Sequence, residues 1–243
     1  MRCCHQNSTD IEFRVAPISL ATGAMFTAVP TTPDSFVAKG YLQAHGIDTA
    51  ALYEEVITAP IWCDRRDNTM RYRGHPLKRT KAFLLTTLPA SYPLYRYPGF
   101  QYASMLNYRS LDAVPGLAAV LAAIGVNRQP LVCDHVILTL YEEQSDCIGR
   151  HQDKLRDIMS GSDIVSISLG ASREFELSRG EVATHVEQLE DGDVFVLGPQ
   201  TNRTMKHAVL PLAQGAALEP RISIVVRHIA TAITAEQLHE RLG

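Results

Sequence analysis

The fold class is decided by a stretch of alternating residues that begins Cys133-Asp-His-Val-Ile-Leu-Thr-Leu-Tyr141 and continues to His228. Every second side chain in such a stretch points to the same face, which is the period of a β-strand. Glycine, aspartate and proline residues divide it into seven short strands, at 133–141, 164–169, 174–177, 182–189, 193–197, 205–210 and 221–228. Seven strands within roughly 95 residues predict a β-sandwich or barrel.

The flanking segments have the period of helices. Residues 34–60 predict two short helices that begin at the N-caps Asp34 and Thr49, with Gly46 ending the first. Two further helices are predicted, at 111–126 and 234–242. We therefore expect one compact unit with three parts: a helical N-terminal scaffold (1–61), a basic, tyrosine-rich region (62–110) and a β core (111–243).

The composition is that of an ordinary globular protein. The 243 residues are 46% hydrophobic and 20% charged, which excludes collagen, coiled coils and disordered chains. No run approaches the roughly 18 apolar residues of a membrane span. The first thirty residues lack the basic start and apolar core of a secretory signal, so we expect an intracellular protein with no membrane partner and infer no obligate protein partner. Five cysteines without a Cys-x-x-Cys pair favour neither a disulfide framework nor a zinc site.

Positive charge is concentrated in residues 62–110. This segment has nine lysine and arginine residues against two aspartates, a net charge of +7, whereas the rest of the chain sums to −10 and the whole to −3. It also contains six of the nine tyrosines. Cations pair with phosphates and aromatic rings stack on bases, so the segment is a candidate nucleic-acid surface. A solvated region whose tyrosines pack on the barrel would have the same composition, and charge asymmetry does not decide between the two.

His151-Gln-Asp153 places an imidazole and a carboxylate two positions apart. On an extended backbone both side chains point to one face. A histidine from another strand would complete the two-histidine, one-carboxylate triad typical of non-haem Fe(II) oxygenases, and His207 is the best candidate. His185-Val-Glu187 has the same spacing. A motif of this kind is more often a surface or hydrogen-bonded pair than a metal site.

The last predicted strand, Arg221-Ile-Ser-Ile-Val-Val-Arg227, has two different faces. Alternation places Arg221, Ser223 and Arg227 on one face and branched apolar residues on the other. Charged side chains are seldom buried unless paired, and a guanidinium binds a carboxylate well. A dicarboxylic ligand inside the barrel would therefore satisfy the arginines. The opposite orientation, with the isoleucines inward and the arginines in water, fits this strand equally well.

Taken in order, these segments resemble the AlkB family of Fe(II)- and 2-oxoglutarate-dependent dioxygenases. The resemblance covers roughly residues 78–229 and is densest after Asp134. It rests on five segments in the family's order: Leu140-Tyr-Glu-Glu-Gln-Ser-Asp-Cys-Ile-Gly-Arg-His-Gln-Asp-Lys154, Ile164-Val-Ser-Ile-Ser-Leu-Gly-Ala-Ser-Arg-Glu-Phe175, Leu189-Glu-Asp-Gly-Asp-Val-Phe-Val-Leu-Gly198, Met205-Lys-His-Ala-Val209 and the strand from Arg221 to Arg227. Upstream, Tyr95-Arg-Tyr-Pro-Gly99 is similar to a weaker family element.

The resemblance implies a double-stranded β-helix, or jelly-roll, core with Fe(II) as its metal. The implied ligands are His151, Asp153 and His207, and Arg227 would support Asp153 and the wall of the active site. The basic region 62–110 falls where the family has its nucleotide-recognition lid.

The resemblance also implies how 2-oxoglutarate, the cosubstrate, binds. Tyr141 and Arg221 would bind its distal carboxylate, while its keto-acid end chelates the metal. In the family, two asparagines often assist the keto-acid end. Here Thr139 and Ser223 stand at those positions, so each offers a hydroxyl group in place of an amide.

The implied activity is oxidative demethylation of alkylated bases in DNA or RNA, which consumes dioxygen and releases formaldehyde, succinate and CO2. A damaged base pairs poorly, so it flips out of the helix at low cost. The candidate substrate contacts are Arg79, Lys81, Phe83, Tyr95 and Tyr97, and the three aromatic rings would also fit as packing beneath the lid. Two alternatives stay open. One is the same oxygenase chemistry on a protein, lipid or small molecule; the other is a nucleic-acid-binding module that has lost turnover.

Overall fold

The computed structural model describes residues 26–63, 71–72, 75–76, 79–86, 90–96, 100–126 and 129–243. The strands in these ranges are β1 (Thr27–Ala28), β2 (Phe36–Ala38), β3 (Arg71–Tyr72), β4 (His75–Pro76), β5 (Thr80–Leu85), β6 (Ser91–Pro93), β7 (Arg109–Ser110), β8 (Gly125–Val126), β9 (Gln129–Pro130), β10 (His135–Tyr141), β11 (Ile148–His151), β12 (Ile164–Gly170), β13 (Arg173–Arg179), β14 (Val182–Leu189), β15 (Val194–Leu197), β16 (Lys206–Val209), β17 (Arg221–Arg227) and β18 (Ala232–Thr234). The α-helices are α1 (Tyr41–Ala44), α2 (Thr49–Thr58), α3 (Pro115–Ala123), α4 (Pro199–Thr204) and α5 (Ala235–Leu242), and two 3-10 helices span Tyr102–Asn107 and Leu111–Ala113.

Two sheets form the core. Over the described residues, the major sheet has eight strands in the order β1-β2-β15-β12-β17-β10-β5-β7, and the minor sheet has four in the order β11-β16-β13-β14. The neighbours are antiparallel except for β5 and β7. Phe175 of the minor sheet packs on Phe195 of the major sheet with ring centroids 4.6 Å apart, so the sheets face each other. This arrangement is the predicted jelly-roll core.

The two faces of the major sheet are buried against different partners. On the outer face, Ile222, Ile224 and Val226 of β17 share a cluster with Leu52 of α2 and Leu117 of α3. The inner face, which carries the intervening residues of β17, lines a cavity between the sheets. The orientation that the sequence left open is therefore resolved: the arginines face the cavity, and the isoleucines are buried under helices. A sheet covered on both faces explains why its strands are almost continuously apolar.

The predicted elements are largely present. The seven strands predicted after residue 130 correspond to β10, β12, β13, β14, β15, β16 and β17. The predicted helix 111–126 is shorter, because it is a 3-10 turn followed by α3, which begins at Pro115. The predicted terminal helix is α5, and Thr234 caps it through a capping box. The short strand β11 was not predicted, because its four residues show no clear alternation.

The prediction that Asp34 caps the first helix was wrong. Its carboxylate instead accepts hydrogen bonds from the backbone N–H groups of Gln200 and Thr201, at 2.7 and 2.9 Å, at the start of α4. The residue that caps α2 is Asp48, which accepts from Ala51 at 3.0 Å, and Thr49 is the first residue of the helix. Among the described residues, no helix combines the length and the apolar character that a bilayer crossing requires.

Candidate metal centre and cosubstrate pocket

His151 and His207 are brought together by the pairing of β11 with β16. The two histidines are opposite each other in that antiparallel pair, after a register shift between Ile148 and His151. Opposite residues of an antiparallel pair project to the same face. Because β11 is an edge strand and ends at His151, the chain leaves the sheet there and places Asp153 in the same cavity.

The three predicted ligands converge inside this cavity. The ring centroids of His151 and His207 are 4.2 Å apart, and His207 Nε2 is 4.0 Å from Asp153 Oδ2. Within the described residues, no three imidazole, thiol or carboxylate groups are already closed around a single ion position. Both Asp153 oxygens instead accept hydrogen bonds from Arg227. A cation between the imidazoles would therefore compete with Arg227 for this carboxylate.

Asp153 is held on several sides. Arg227 Nη2 lies 2.8 and 2.9 Å from its two oxygens, and the Tyr95 hydroxyl donates to Oδ1 at 2.7 Å. Its backbone N–H donates to the Asn202 side chain at 2.9 Å, and its carbonyl accepts from the same amide at 3.2 Å. Burial alone would raise the pKa of Asp153, but the Arg227 guanidinium and the two imidazoles hold the pKa below its ordinary value. Asp153 is therefore an ionised carboxylate, as a metal ligand must be.

The two imidazoles are neutral at physiological pH. Burial lowers the pKa of His207 to about 3 and also lowers that of His151. His151 Nδ1 lies 2.9 Å from the Gly149 carbonyl, so this nitrogen is the donor and Nε2 is left with its lone pair. A neutral imidazole oriented by a carbonyl through its second nitrogen is the usual form of a histidine metal ligand.

The cavity behind the ligands has a volume of about 540 Å³, which includes its opening to solvent. The predicted metal ligands and Arg227 lie at one end of it, which we call the metal end, and Tyr141 and Arg221 also line the cavity. Its walls are mostly apolar: Ile148, Ile164, Phe175, Phe195, Leu197 and Val209. An apolar cavity with a few convergent polar groups is the common form of a small-ligand site.

Tyr141 and Arg221 supply the other polar groups of this cavity, which we call its distal end. They are opposite each other on β10 and β17, with the Arg221 Cζ atom 5.4 Å from the centre of the Tyr141 ring. Arg221 is 1% exposed and donates through Nη2 to the Ser168 hydroxyl at 2.9 Å. Its Nε and Nη1, and the Tyr141 hydroxyl, are buried without a hydrogen-bond partner in the described part of the chain. Such groups are costly unless a ligand satisfies them, and a carboxylate fits their geometry and charge.

Thr139 and Ser223 are opposite each other one step further along the same strands. Both are buried, and Ser223 lines the cavity. The Ser223 hydroxyl is 3.4 Å from that of Ser166. The two positions at which the family often has asparagine therefore lie between the distal end and the metal end, as the resemblance implies.

Two of the predicted substrate contacts have other roles in the structure. Phe83 is 2% exposed and packs in a cluster with Met105 and Ile137, so its ring is not presented for stacking on a base. Tyr95 is 3% exposed, and its hydroxyl is bound to Asp153. That these rings stack on a base stays a prediction, since the sequence pattern shows that an aromatic residue is present but not which neighbour covers it.

The other predicted substrate contacts lie in three different settings. Arg79 donates to the Cys147 carbonyl at 2.7 Å. Lys81 is on the inner face of β5, opposite Thr139. Tyr97 lies outside the described residues. The competing pair of His185 and Glu187 is bonded to itself at 3.1 Å on β14, away from the cavity lining.

Two supporting residues were missed by the sequence analysis. Asn202 of α4 binds the backbone of Asp153 and so connects the segment that precedes His207 to the carboxylate ligand. Asp34 caps the same helix from the N-terminal part of the chain. Neither has a local sequence signal, since each contact joins residues more than 45 positions apart.

Comparison with known proteins adds a family and a set of relatives. A model of the 2OG-Fe(II) oxygenase superfamily matches residues 40–227. The chain is 34% identical over 103 residues to the DNA oxidative demethylase ALKBH2 of Mus musculus, which covers 39% of this chain and 42% of that protein. The human protein of the same name is 33% identical over 103 residues, covering 39% of each.

Two further matches differ in kind. The RNA replication protein of Grapevine virus A is 30% identical over 123 residues, which is 50% of this chain and 7% of that protein. A solved structure of OsALKBH1 superimposes with a TM-score of 0.51 at 17% identity and covers 84% of this chain and all of that one, which supports the fold alone. The chain spans about two fifths of the length of the ALKBH2 proteins that it matches.

Proposed function

The chain belongs to the 2OG-Fe(II) oxygenase superfamily and is AlkB-like, and from this we propose that it is a 2-oxoglutarate-dependent dioxygenase that demethylates alkylated bases in nucleic acid. The proposed products are formaldehyde, succinate and CO2. The observation that supports the oxygenase activity best is the convergence of His151, Asp153 and His207 at one end of a buried cavity that is also lined by Arg221.

The donor set fits ferrous iron. Two neutral imidazoles and one ionised carboxylate leave three coordination positions open, which is the arrangement that non-haem Fe(II) oxygenases use. Iron bound there, with 2-oxoglutarate and dioxygen, would supply the oxidation of a carbon–hydrogen bond of the substrate. The pattern of charges fits as well, because Arg227 neutralises Asp153 and the Arg221 guanidinium still needs an anion.

The protein's own residues have three tasks in this proposal. Tyr95, Arg227 and Asn202 orient Asp153 before any ligand arrives. Arg221 and Tyr141 would hold the distal carboxylate of the cosubstrate, and so fix the direction in which its reactive end points. The apolar walls exclude water from the reacting atoms.

Nucleic acid is the proposed substrate class for two reasons. The ALKBH2 proteins, which the chain resembles over 103 residues, are DNA oxidative demethylases. The net charge of +7 in residues 62–110 favours a polyanionic partner. The choice between DNA and RNA is left to experiment.

The direct test is succinate release with Fe(II) and a panel of methylated DNA and RNA oligonucleotides, with loss of the methyl group followed by mass spectrometry. His151→Ala should abolish both signals. His185→Ala is the matched control, because His185 is also a histidine of a His-x-acid pair but lies on β14 away from the cavity. It should keep wild-type turnover.

Two results would contradict parts of the proposal. Succinate release by His151→Ala at the wild-type rate would refute the ligand assignment. Turnover with peptides or metabolites but with none of the oligonucleotides would keep the oxygenase chemistry and exclude nucleic acid as the substrate.

A further inference from the structure

Lys81 is a cationic residue on the inner face of the major sheet. Along β5, Ala82 and Leu84 point to the helix-covered outer core, whereas Phe83 and Leu85 belong to the cluster on the other face. Alternation along a strand therefore places Lys81 on the inner face. From the sequence, Lys81 is a predicted contact to the substrate. In the sheet it lies next to β10, which pairs with β17, and these two strands carry the proposed cosubstrate-binding residues.

The register of the sheet puts Lys81 in a row of polar side chains. Lys81 is opposite Thr139, Thr139 is opposite Ser223, and Ser223 is opposite Ser168. All four are on the same face, because directly opposite residues in antiparallel pairs share a face. The two central members are the positions where the family often has asparagine.

The charges around Lys81 place its ammonium near the reactive end of the cavity. Burial, and after it the cations of Arg79 and Arg227, lower its pKa to about 7, while Asp153 opposes the shift. Lys81 also contributes to the lowered pKa of His151. The amine is therefore within electrostatic range of Asp153 and His151, two of the three predicted metal ligands. Among the described residues, no hydrogen bond or ion pair of this amine is found.

We propose that the Lys81 ammonium is a further cosubstrate-binding group, which donates to the keto-acid end of 2-oxoglutarate where Thr139 and Ser223 supply only hydroxyls. This inference rests on the proposed function. In this arrangement Arg221 binds one end of the cosubstrate and Lys81 the other. A lysine reaching across from β5 replaces the donors that the family takes from β10 and β17.

The position of Lys81 favours this role over contact with a nucleic-acid phosphate. Its neighbours in the row are buried, with Thr139 at 3% and Ser223 at 4% exposure, and Lys81 itself is half-buried, so the row runs from the strand β5 into the sandwich. A phosphate group of a polymer needs an exposed cation that it can approach from solvent. A small dicarboxylate that enters the cavity reaches this row at Ser223, the member that lines the cavity.

The test compares three variants for their affinity for 2-oxoglutarate, measured by calorimetry with Mn(II) in place of Fe(II) so that no turnover occurs. Lys81→Met should weaken binding by about tenfold or more, since it removes a charge-assisted hydrogen bond. Lys81→Arg should restore part of the affinity. Lys206→Met is the matched control, because it also removes one lysine charge but its side chain pairs with exposed Glu181 on the outer face.

A second measurement reports on the keto-acid end itself. Under anaerobic conditions with Fe(II) and saturating 2-oxoglutarate, the charge-transfer band of the chelated keto acid should shift in Lys81→Met. In Arg221→Met, once saturated, it should stay in place, because that arginine is assigned to the distal carboxylate. Circular dichroism and a thermal melt establish that each variant is folded.

The outcomes separate this inference from the proposed function. Wild-type affinity and an unchanged band in folded Lys81→Met would overturn it and leave the dioxygenase proposal intact. Unchanged affinity for 2-oxoglutarate with weaker binding of an oligonucleotide would also overturn it, because Lys81 would then be a substrate contact. If the wild-type protein itself fails to bind 2-oxoglutarate, the proposed function is wrong and the inference falls with it.

Discussion

The two ends of the cavity balance their charges in different ways. At the metal end, the buried cation of Arg227 is paired with the buried anion of Asp153 at 2.8 Å. At the distal end, Arg221 has a single neutral partner, the Ser168 hydroxyl, among the described residues. In both arginines Nε and Nη1 have no hydrogen-bond partner there, so only the charge of the partner differs. Both guanidiniums belong to β17 and are similarly buried. The difference between them is therefore in their partners and not in their environment.

This contrast indicates that the protein alone organises the metal end, whereas a ligand completes the distal end. A buried cation that donates to both oxygens of a buried carboxylate orients that carboxylate before a ligand binds. A buried cation without an anion costs stability and attracts a compensating charge. The metal end is thus organised in advance, while the distal end is organised for an incoming carboxylate.

The largest expected effect comes from breaking the balanced end. Arg227→Met leaves Asp153 buried without its cation, which should lower the free energy of unfolding by about 3–5 kcal/mol. Urea denaturation of the metal-free protein measures this change. The double variant Arg227→Met with Asp153→Asn should recover much of the loss, because no uncompensated carboxylate is left. A single variant as stable as the wild type would show that Asp153 is not held by this pair.

Replacing the arginine of the distal end by methionine should not destabilise the protein. Arg221→Met removes a cation that lacks an anionic partner, so the free energy of unfolding should stay the same or rise. Affinity for 2-oxoglutarate should nevertheless fall by roughly 100-fold, since hydrogen bonds between charged groups contribute about 1.5–3 kcal/mol each. Calorimetry and urea denaturation on one preparation separate the two effects. A parallel loss of stability and affinity would mean that Arg221 is structural and would remove the contrast.

The sequence predicts the fold and the convergence of the three proposed ligands well, because both depend on short-range patterns and their order along the chain. The alternation in β10, β12 and β17 defines strands, and two positions of spacing place His151 and Asp153 on one side of the chain. The order of the segments then supplied His207 through the resemblance. Composition alone could not have chosen between His151 and His185 as the histidine of the site.

The residues that orient the proposed ligands could not be predicted from short-range patterns. Tyr95 contacts Asp153 across 58 positions and Asn202 across 49. Such contacts depend on how the two sheets close, which no local pattern encodes. Tyr95 illustrates what is missed: its place in a basic segment suggested base stacking, and the contact of its hydroxyl with the proposed ligand Asp153 had no signal in the sequence.

A smaller effect is expected from loosening the metal end without breaking its ion pair. Tyr95→Phe removes the 2.7 Å hydrogen bond to Asp153 but keeps the ring that lies 4.8 Å from the Arg227 guanidinium. Residues that orient a ligand in this way typically change metal affinity by about 10- to 100-fold. Titration with Fe(II) or Mn(II) should therefore show weaker metal binding with little change in the melting temperature. Tyr92→Phe, on the half-buried strand β6, is the matched control and should leave metal affinity unchanged.

The smallest expected effect tests whether water is excluded from the metal end. His135 lies opposite Arg227, fully buried between the rings of Tyr95 and Tyr108. Burial lowers its pKa to about 3, with Arg227 and Lys81 adding to the shift and Asp153 opposing it. In the unfolded chain its pKa is close to the ordinary value of about 6.5. As the pH falls from 6.5 towards 3, His135 therefore becomes protonated in the unfolded chain but stays neutral in the folded protein. The free energy of unfolding falls by at most about 1.4 kcal/mol per pH unit as a result.

His135→Phe isolates this contribution. The ring replaces an imidazole whose two nitrogens have no partner among the described residues, so at pH 7.5 the variant should be as stable as the wild type or more so. Between pH 7.5 and 5.5 the wild type should lose about 1.4 kcal/mol more than the variant, because only the wild type has this histidine to protonate on unfolding. Urea denaturation of the metal-free proteins at the two pH values provides the comparison. Equal losses would mean that water reaches His135, and that the metal end is less insulated than its ion pair suggests.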